Sequence, residues 1–152
     1  SYGPEMRGGT ANVIVILSDE RISSPYLKMF DTAIILNQQS MDKFENSVKQ
    51  GGVLLYDPNG ISHHPTRTDI HIYQIEGVKL ATEMGNKKIF NMVVLGAFLN
   101  IKPIVKLENV IEGLKKSLSE RYHHLIPLNK EAITKGMKSV TPYKKKEQVL
   151  NQ

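Results

Sequence analysis

Three short apolar runs alternate with polar stretches in the first 56 positions of the chain. Residues 11–17 (ANVIVIL) are nearly all β-branched or aliphatic, and residues 32–36 (TAIIL) and 52–56 (GVLLY) have the same character. Runs that are apolar at almost every position are typical of strands covered on both faces of a sheet. The pattern therefore predicts three buried strands.

The polar stretch between the second and third runs predicts a helix. Within residues 38–48, Met41, Phe44 and Val48 recur at spacings of three and four, which places them on one helical face. Ser40 is a candidate N-cap because its hydroxyl can accept a backbone N–H bond. Strand, helix and strand in this order predict a parallel pair of strands.

The remainder of the chain reads as a turn, a strand and a series of helices. The sequence Asp-Pro-Asn-Gly at 57–60 predicts a turn, followed by a mobile polar loop to about Arg67. Residues 69–75 alternate polar and apolar positions, as an edge or half-exposed strand does. Helices are predicted at 78–84, 88–99, 107–118 and 128–137; the second of these is apolar almost all round, with Gly96 allowing close backbone approach.

These elements predict one α/β domain. We expect a mainly parallel sheet with helices on both faces, a single Rossmann-like domain over residues 1–140, and a basic, disordered tail over residues 141–152. Phe90 and Phe98 are candidates for an apolar patch that contacts another subunit.

Composition narrows the class of protein. Of 152 residues, 40% are hydrophobic and 23% charged, close to the average of globular domains. No apolar run approaches the roughly 20 residues that span a bilayer, and no signal-peptide pattern opens the sequence, so we predict a cytoplasmic protein without membrane contact. The sequence contains no cysteine, and iron–sulfur clusters are normally held by cysteine thiolates, so any cluster belongs to another chain.

The net charge of +5 does not indicate a nucleic-acid partner. Much of the excess comes from Lys144, Lys145 and Lys146, with Lys135 and Lys138 just before them. No basic face interleaved with aromatic residues accompanies these lysines, and isolated charge runs are usually solvated. We predict no nucleic-acid binding.

A glycine-rich segment at the start is the candidate ligand site. Gly8 and Gly9 leave backbone N–H groups accessible, and Arg7 offers a planar donor fork for a phosphate or carboxylate. Arg7, Gly8, Gly9 and Thr10 could therefore bind an anion. The alternative is that the glycines form a tight entry to the first strand and that Arg7 pairs with a nearby acid.

No other residues indicate catalysis or metal binding. His63 and His64, like His123 and His124, are sequence neighbours whose side chains diverge, so neither pair suits one metal ion. His71 stands alone, and Asp19 with Glu20 is typical of a solvated turn. We predict no catalytic residue and no metal ligand.

The opening sequence SYGPEMRGGTANVIVILSDERISSP resembles the gamma subunit, or gamma-like domain, of 2-oxoacid:ferredoxin oxidoreductases. The similarity continues through FDTAIILNQQSMDKFE, LLYDPNGI and NMVVLGAFL, and the stretch from Ile101 to Met137 is most similar to the 2-oxoglutarate branch. Members of the family begin with a further strand, a Gly-x-Gly-Gly-Gln-Gly turn and a helix. No such unit precedes Ser1, so we expect the sequence to be incomplete; a sheet that truly lacked this unit would have an unpaired buried edge.

The resemblance implies a role within a larger complex. Such complexes decarboxylate a 2-oxoacid on thiamine diphosphate with Mg²⁺, pass electrons through iron–sulfur clusters to ferredoxin, and transfer the acyl group to coenzyme A. The expected partners are alpha and beta subunits, with a delta subunit as a further candidate, and the isolated chain is expected to be inactive.

On this interpretation Arg7, Gly8, Gly9 and Thr10 bind coenzyme A or shape a subunit interface, and the motif residues Tyr2, Glu5, Ser24 and Pro25 are weaker candidates. Three alternatives remain open: a gamma subunit of the 2-oxoisovalerate or pyruvate type, an independent module that binds a nucleotide or coenzyme A, and a stand-alone enzyme that uses Arg7 and a histidine.

Overall fold

The computed structural model describes residues 11–22 and 27–144. Across these residues the chain forms a four-stranded sheet in the order β1-β2-β3-β4, with β1 at Phe30–Ile35, β2 at Val48–Tyr56, β3 at His71–Gln74 and β4 at Thr141–Pro142. The first three strands are parallel, and β4 is antiparallel to β3. The helices are α1 (Gln38–Phe44), α2 (Gly77–Glu83), α3 (Phe90–Ile101), α4 (Leu107–Ser117) and α5 (Ile126–Ser139).

The β1-α1-β2 unit confirms the predicted parallel pair. Residues 32–35 of β1 pair in register with residues 53–56 of β2. Helix α1 packs its Met41 against one face of the sheet, in a cluster with Ile35, Leu54 and Tyr56. The predicted cap is wrong, because the helix begins at Gln38 and the side chain of Asn37 accepts the N–H of Ser40 at 2.8 Å.

Helices α2, α3 and α5 cover the opposite face of the sheet. Leu55, whose side chain points away from those of Leu54 and Tyr56, joins Ile75, Val93 and residues of α2 and α5 in a second buried cluster. Helices on both faces of a mainly parallel sheet were predicted, and this prediction is confirmed. Phe90 and Phe98 pack against the second cluster, so they contribute to the core of this chain.

Helices α3 and α5 approach each other at two glycines. A Cβ atom on Gly96 would overlap the carbonyl oxygen of Ile133, and one on Gly136 would overlap the carbonyl oxygen of Val93. The contact is therefore backbone against backbone on both sides. The close approach predicted for Gly96 is confirmed, and Gly136 is its counterpart on α5.

The first predicted strand is absent. Residues 11–17 have no regular secondary structure, and the side chains of Val13, Val15 and Leu17 are 84%, 74% and 68% exposed. An apolar run specifies burial, but a strand also needs a neighbouring edge in register for its backbone groups. Within the described residues β1 pairs only with β2, and its outer edge carries no strand.

The other edge of the sheet extends further than predicted. β3 was predicted as an edge or half-exposed strand; it is not an edge, because it lies between β2 and β4, but its residues are partly exposed as predicted. Thr141 and Pro142, assigned in the prediction to a disordered tail, pair with Gln74 and Tyr73 of β3. The rest of that predicted tail, from residue 145, lies outside the described residues. None of the helices in the described part of the chain has the length and apolar character needed to cross a membrane.

Replacing Gly96 by alanine should destabilise the protein because the new methyl group must push α5 away at a backbone carbonyl. We expect the free energy of unfolding to fall by about 2 kcal/mol or more, the range of overpacking in a tight core. Urea denaturation measures this change in the free energy of unfolding. The matched control is Gly113→Ala on exposed α4, where nothing lies within 4 Å. That variant should gain about 0.5 to 1 kcal/mol from helix propensity. Equal effects at both positions would contradict the packing argument.

Candidate functional site

The buried carboxylate of Asp57 joins two elements at the carboxyl end of β2. Its side chain is fully buried, and its two oxygens accept backbone N–H groups of Asn59 at 2.8 Å and Val78 at 2.9 Å. The first bond closes the predicted turn, and the second holds the start of α2. Because both oxygens are occupied, Asp57 acts as a structural clamp. The sequence indicated the turn but did not indicate the bond to α2.

Two glycines bring the neighbouring backbone close to Asp57. A Cβ on Gly60 would overlap the carbonyl oxygen of Leu36, and one on Gly77 would lie 3.2 Å from Asp57 Oδ2 and 2.9 Å from the Phe90 ring. Open α/β sheets commonly bind ligands at the carboxyl ends of their strands. Around Asp57, this end of the sheet is filled by the chain itself.

The loop after β2 is anchored, which corrects the prediction of a mobile loop. Gln38 Oε1 accepts the backbone N–H groups of Ser62 and His63 at 2.8 and 2.9 Å. Glu45 Oε1 accepts the backbone N–H of Thr66 at 2.6 Å. Polar side chains from α1 and the turn after it thus replace water as partners of the loop backbone. Sequence periodicity carries no signal for such bonds.

Arg67 closes the loop at its far end. Its guanidinium donates to Asp69 Oδ1 at 2.8 Å and Asp69 Oδ2 at 2.6 Å, and also to the carbonyl oxygen of Glu45 at 3.1 Å. The hydrogen bonds from Arg67 lower the pKa of the Asp69 carboxyl group. Arg67 therefore ties Asp69, which precedes β3, to the turn that follows α1.

A polar and aromatic cluster surrounds the hydroxyl group of Tyr56, the last residue of β2. Tyr56 is fully buried, and its hydroxyl donates to Gln74 Oε1 at 3.3 Å and lies 3.2 Å from His64 Nδ1. The rings of His64 and Tyr143 are stacked, with centroids 5.3 Å apart. Burial, followed by the electrostatic effect of Tyr143, raises the pKa of Tyr56 to about 12. Tyr56 is therefore neutral at physiological pH.

The histidines do not form a metal site within the part of the chain that is described. No group of three or more metal-ligating side chains occurs there. His123 Nε2 donates to the carbonyl oxygens of Lys115 and Leu118 at 3.0 and 2.9 Å, which satisfies carbonyl groups at the end of α4. His64 stacks on Tyr143 as described above.

The predicted ligand residues Arg7, Gly8, Gly9 and Thr10 lie outside the described residues, and so do Tyr2, Glu5, Ser24 and Pro25. Their role stays a prediction.

The most exposed large apolar residues of the described chain are Val13, Val15 and Leu17. Ile34 in the edge strand β1 and Leu36 just after it are 42% and 38% exposed. We call these five residues the amino-terminal apolar residues. Groups of large apolar side chains left in water are typical of surfaces that contact another protein. The sequence predicted these residues to be covered, and the described part of the chain does not cover them.

Comparisons with known proteins identify relatives along nearly the whole chain. The family described as pyruvate ferredoxin/flavodoxin oxidoreductase matches residues 1–139. The 2-oxoglutarate synthase subunit KorC of Methanocaldococcus jannaschii is 35% identical over 120 residues, which cover 78% of this chain and 64% of that subunit. The ketoisovalerate oxidoreductase subunit VorA of Methanothermobacter marburgensis is 32% identical over 99 residues, covering 65% of this chain and 20% of that subunit.

A solved structure shares the fold. The gamma subunit of a keto/oxoacid ferredoxin oxidoreductase from Geobacter sulfurreducens superposes with a TM-score of 0.66 at 22% identity, covering 80% of this chain and 66% of that one. At this identity the likeness establishes the fold alone. The present chain spans 64% of the KorC relative and 20% of the VorA relative.

Raising the pH above 10 should destabilise the protein through Tyr56. The folded state keeps the Tyr56 proton up to a pKa of about 12, whereas the unfolded chain loses it near 10.0, so ionisation favours unfolding between these values. We expect the free energy of unfolding to fall less steeply with rising pH in Tyr56→Phe than in the unchanged protein. Urea denaturation at pH values from 8 to 11 measures both slopes.

The matched control for the pH experiment is Tyr122→Phe, which also removes one tyrosine but at a position 41% exposed. In this variant the free energy of unfolding should fall with pH as steeply as in the unchanged protein. Identical slopes for all three proteins would contradict a buried, neutral Tyr56 hydroxyl.

Proposed function

The chain belongs to the pyruvate ferredoxin/flavodoxin oxidoreductase family, and we propose that it serves as a gamma-type subunit of a 2-oxoacid:ferredoxin oxidoreductase acting on 2-oxoglutarate. In this role it supplies surface to a complex whose reactive groups lie on other subunits. The overall reaction is the oxidative decarboxylation of 2-oxoglutarate with transfer of the acyl group to coenzyme A. The isolated chain is inactive.

The observation that carries the subunit role is the family match over residues 1–139, together with the 35% identity to a KorC subunit of a 2-oxoglutarate synthase. The amino-terminal apolar residues offer a surface for contact with a partner. Val13, Val15 and Leu17 together leave three aliphatic side chains more than two-thirds in water. Covering an aliphatic side chain yields about 1.5 to 3 kcal/mol. A partner subunit that covers these residues would therefore gain substantial binding free energy, as would any other segment of the protein that packs on them.

The cofactors of the reaction do not fit the groups that this chain offers. Cysteine is absent from the sequence, so a thiolate-held iron–sulfur cluster has no ligands here. Among the described residues, no set of metal-ligating side chains would hold the Mg²⁺ of thiamine diphosphate. We assign thiamine diphosphate, Mg²⁺ and the clusters to alpha, beta and delta partners, with ferredoxin as the electron acceptor.

Coenzyme A is the ligand that we assign to the glycine-rich start. Arg7 offers a charged donor fork, and Gly8 and Gly9 offer unshielded N–H groups, both of which suit phosphate oxygens. Thr10 adds a hydroxyl donor.

The substrate assignment rests on the KorC relative. That protein is named for 2-oxoglutarate, and it is 35% identical over 120 residues, compared with 32% over 99 residues for the ketoisovalerate relative. The 2-oxoisovalerate and pyruvate types remain the alternatives. Rates of ferredoxin reduction with the three oxoacids discriminate among them, and a higher kcat/KM for either alternative would reassign the substrate.

An independent coenzyme A module is the alternative from another functional class. It would bind coenzyme A as a lone chain, so its thermal midpoint would rise with coenzyme A concentration. On the proposed function the lone chain shows no such rise, because ligand binding is secondary to assembly.

Breaking the apolar contact should separate the chain from its partners. We expect the tagged protein, purified from its native cell, to copurify with thiamine-binding and cluster-bearing subunits in fixed ratio. The Val15→Asp variant should lose these subunits, because the interface would bury an unpaired carboxylate at a high cost in free energy. The Val15 side chain is 74% exposed in the chain itself, so the variant should fold normally.

The matched control is Ile104→Asp, which places the same charge on another exposed apolar residue, 53% exposed and between α3 and α4. It should retain the partners. If the unchanged protein copurifies with no such subunits, the proposed function is wrong; if both variants retain them, the interface lies elsewhere.

Removing the Arg7 guanidinium should weaken coenzyme A binding in the complex. We expect Arg7→Ala to raise KM for coenzyme A by about 10-fold, the loss of one charge-assisted hydrogen bond. The Arg7→Lys variant should have a KM for coenzyme A between those of the unchanged protein and Arg7→Ala, since a point charge replaces the planar donor fork. Steady-state kinetics with 2-oxoglutarate at saturation measure this change. An unchanged KM for coenzyme A in a complex of normal composition would contradict the assignment.

A further inference from the structure

The carboxyl-terminal strand β4 has little backbone pairing of its own. It comprises Thr141 and Pro142, opposite Gln74 and Tyr73. Proline has no N–H to donate, so the pairing relies on few hydrogen bonds, among them that from the Tyr143 N–H to the Ile72 carbonyl oxygen at 2.9 Å. Such a short edge strand needs side-chain contacts to stay in place.

The ring of Tyr143 supplies those contacts. It packs edge-on against the ring of Tyr56, with centroids 5.9 Å apart and planes at 78°. It also stacks on His64, with centroids 5.3 Å apart and planes at 23°. Aromatic pairs in these geometries stabilise beyond their buried area. The end of β4 is thus held between the end of β2 and the loop that follows β2.

The hydrogen bonds of Tyr56 fix the orientation of His64. The Tyr56 hydroxyl donates to Gln74 Oε1 at 3.3 Å and lies 3.2 Å from His64 Nδ1, so it holds one edge of the His64 ring in place. The plane of the His64 ring lies 23° from that of the Tyr143 ring. Pro65, which follows, is buried and limits the movement of the backbone.

We propose that His64 and Tyr143 form a latch that couples the loop after β2 to the carboxyl-terminal strand, so that the two segments open and close together. His64 is exposed and Tyr143 is half-buried, so the latch lies at the surface. The sequence continues from Tyr143 directly into Lys144, Lys145 and Lys146. A partner that draws Tyr143 away from β3 therefore releases the loop at His64.

The simpler arrangement is independent anchoring. The loop has its own bonds to Gln38 and Glu45, and β4 has its own bond to Ile72. If these suffice, the stacked rings add nothing, and loosening one segment leaves the other unchanged. Reciprocal coupling distinguishes the two arrangements, because a coupling free energy acts equally in both directions.

Hydrogen exchange tests the latch, measured on the purified chain together with any subunits that copurify with it. In His64→Ala we expect exchange of the Tyr143 amide to rise about 3- to 10-fold, the effect of losing one aromatic pair. In Tyr143→Leu the exchange rates of the amides of residues 62–64 should rise by a similar factor. His64→Phe, which keeps a ring for stacking, should restore most of the protection at Tyr143.

The matched control is His63→Ala, which removes the neighbouring exposed histidine and should change neither segment. Amides of α3 serve as the internal standard. The latch is refuted if His64→Ala leaves Tyr143 exchange at the level of His63→Ala, or if Tyr143→Leu affects β4 alone. An equal rise in the exchange rates of the α3 amides would also refute the latch, because the substitution would then have destabilised the whole fold.

Discussion

The structure depends on the burial of β2 on both of its faces. Leu54 and Tyr56 face the cluster beneath α1, and Leu55 faces the cluster beneath α2, α3 and α5. Because successive side chains of a strand point to opposite faces, the buried residues 54–56 of β2 contribute to both clusters. The polar features follow from the end of this strand: Tyr56 reaches His64 and Gln74, and Asp57 holds the start of α2.

The two sides of the sheet differ in how completely the described residues cover them. On the β3 side, β4 pairs with the edge and Tyr143 seals its end. On the β1 side, Ile34 and Leu36 remain partly in water, and residues 11–17 expose the aliphatic side chains that the pattern assigned to a core. A partner chain can cover what the described residues leave exposed, and the proposed subunit role makes use of that surface.

Much of the fold was predictable from local patterns. The runs at 32–36 and 52–56 became β1 and β2, and the helix at 88–99 became α3 with its close contact at Gly96, because periodicity and glycine placement are local signals. The same signal failed at residues 11–17, where apolar character was present but the run pairs with no strand of the described residues. The candidate ligand residues from Arg7 to Thr10 lie outside the described residues, so their assignment still rests on the sequence.

The sequence by itself determined the α/β class, the family and the lack of thiolate ligands, because composition, motif and periodicity are properties of neighbouring residues. Only the tertiary structure decided that the loop after β2 is anchored by Gln38 and Glu45, and that His64 meets Tyr143. The rings of His64 and Tyr143 belong to residues 79 positions apart in the numbering of the chain. No local pattern encodes such a contact, because it exists only after the sheet has brought the ends of β2 and β4 together.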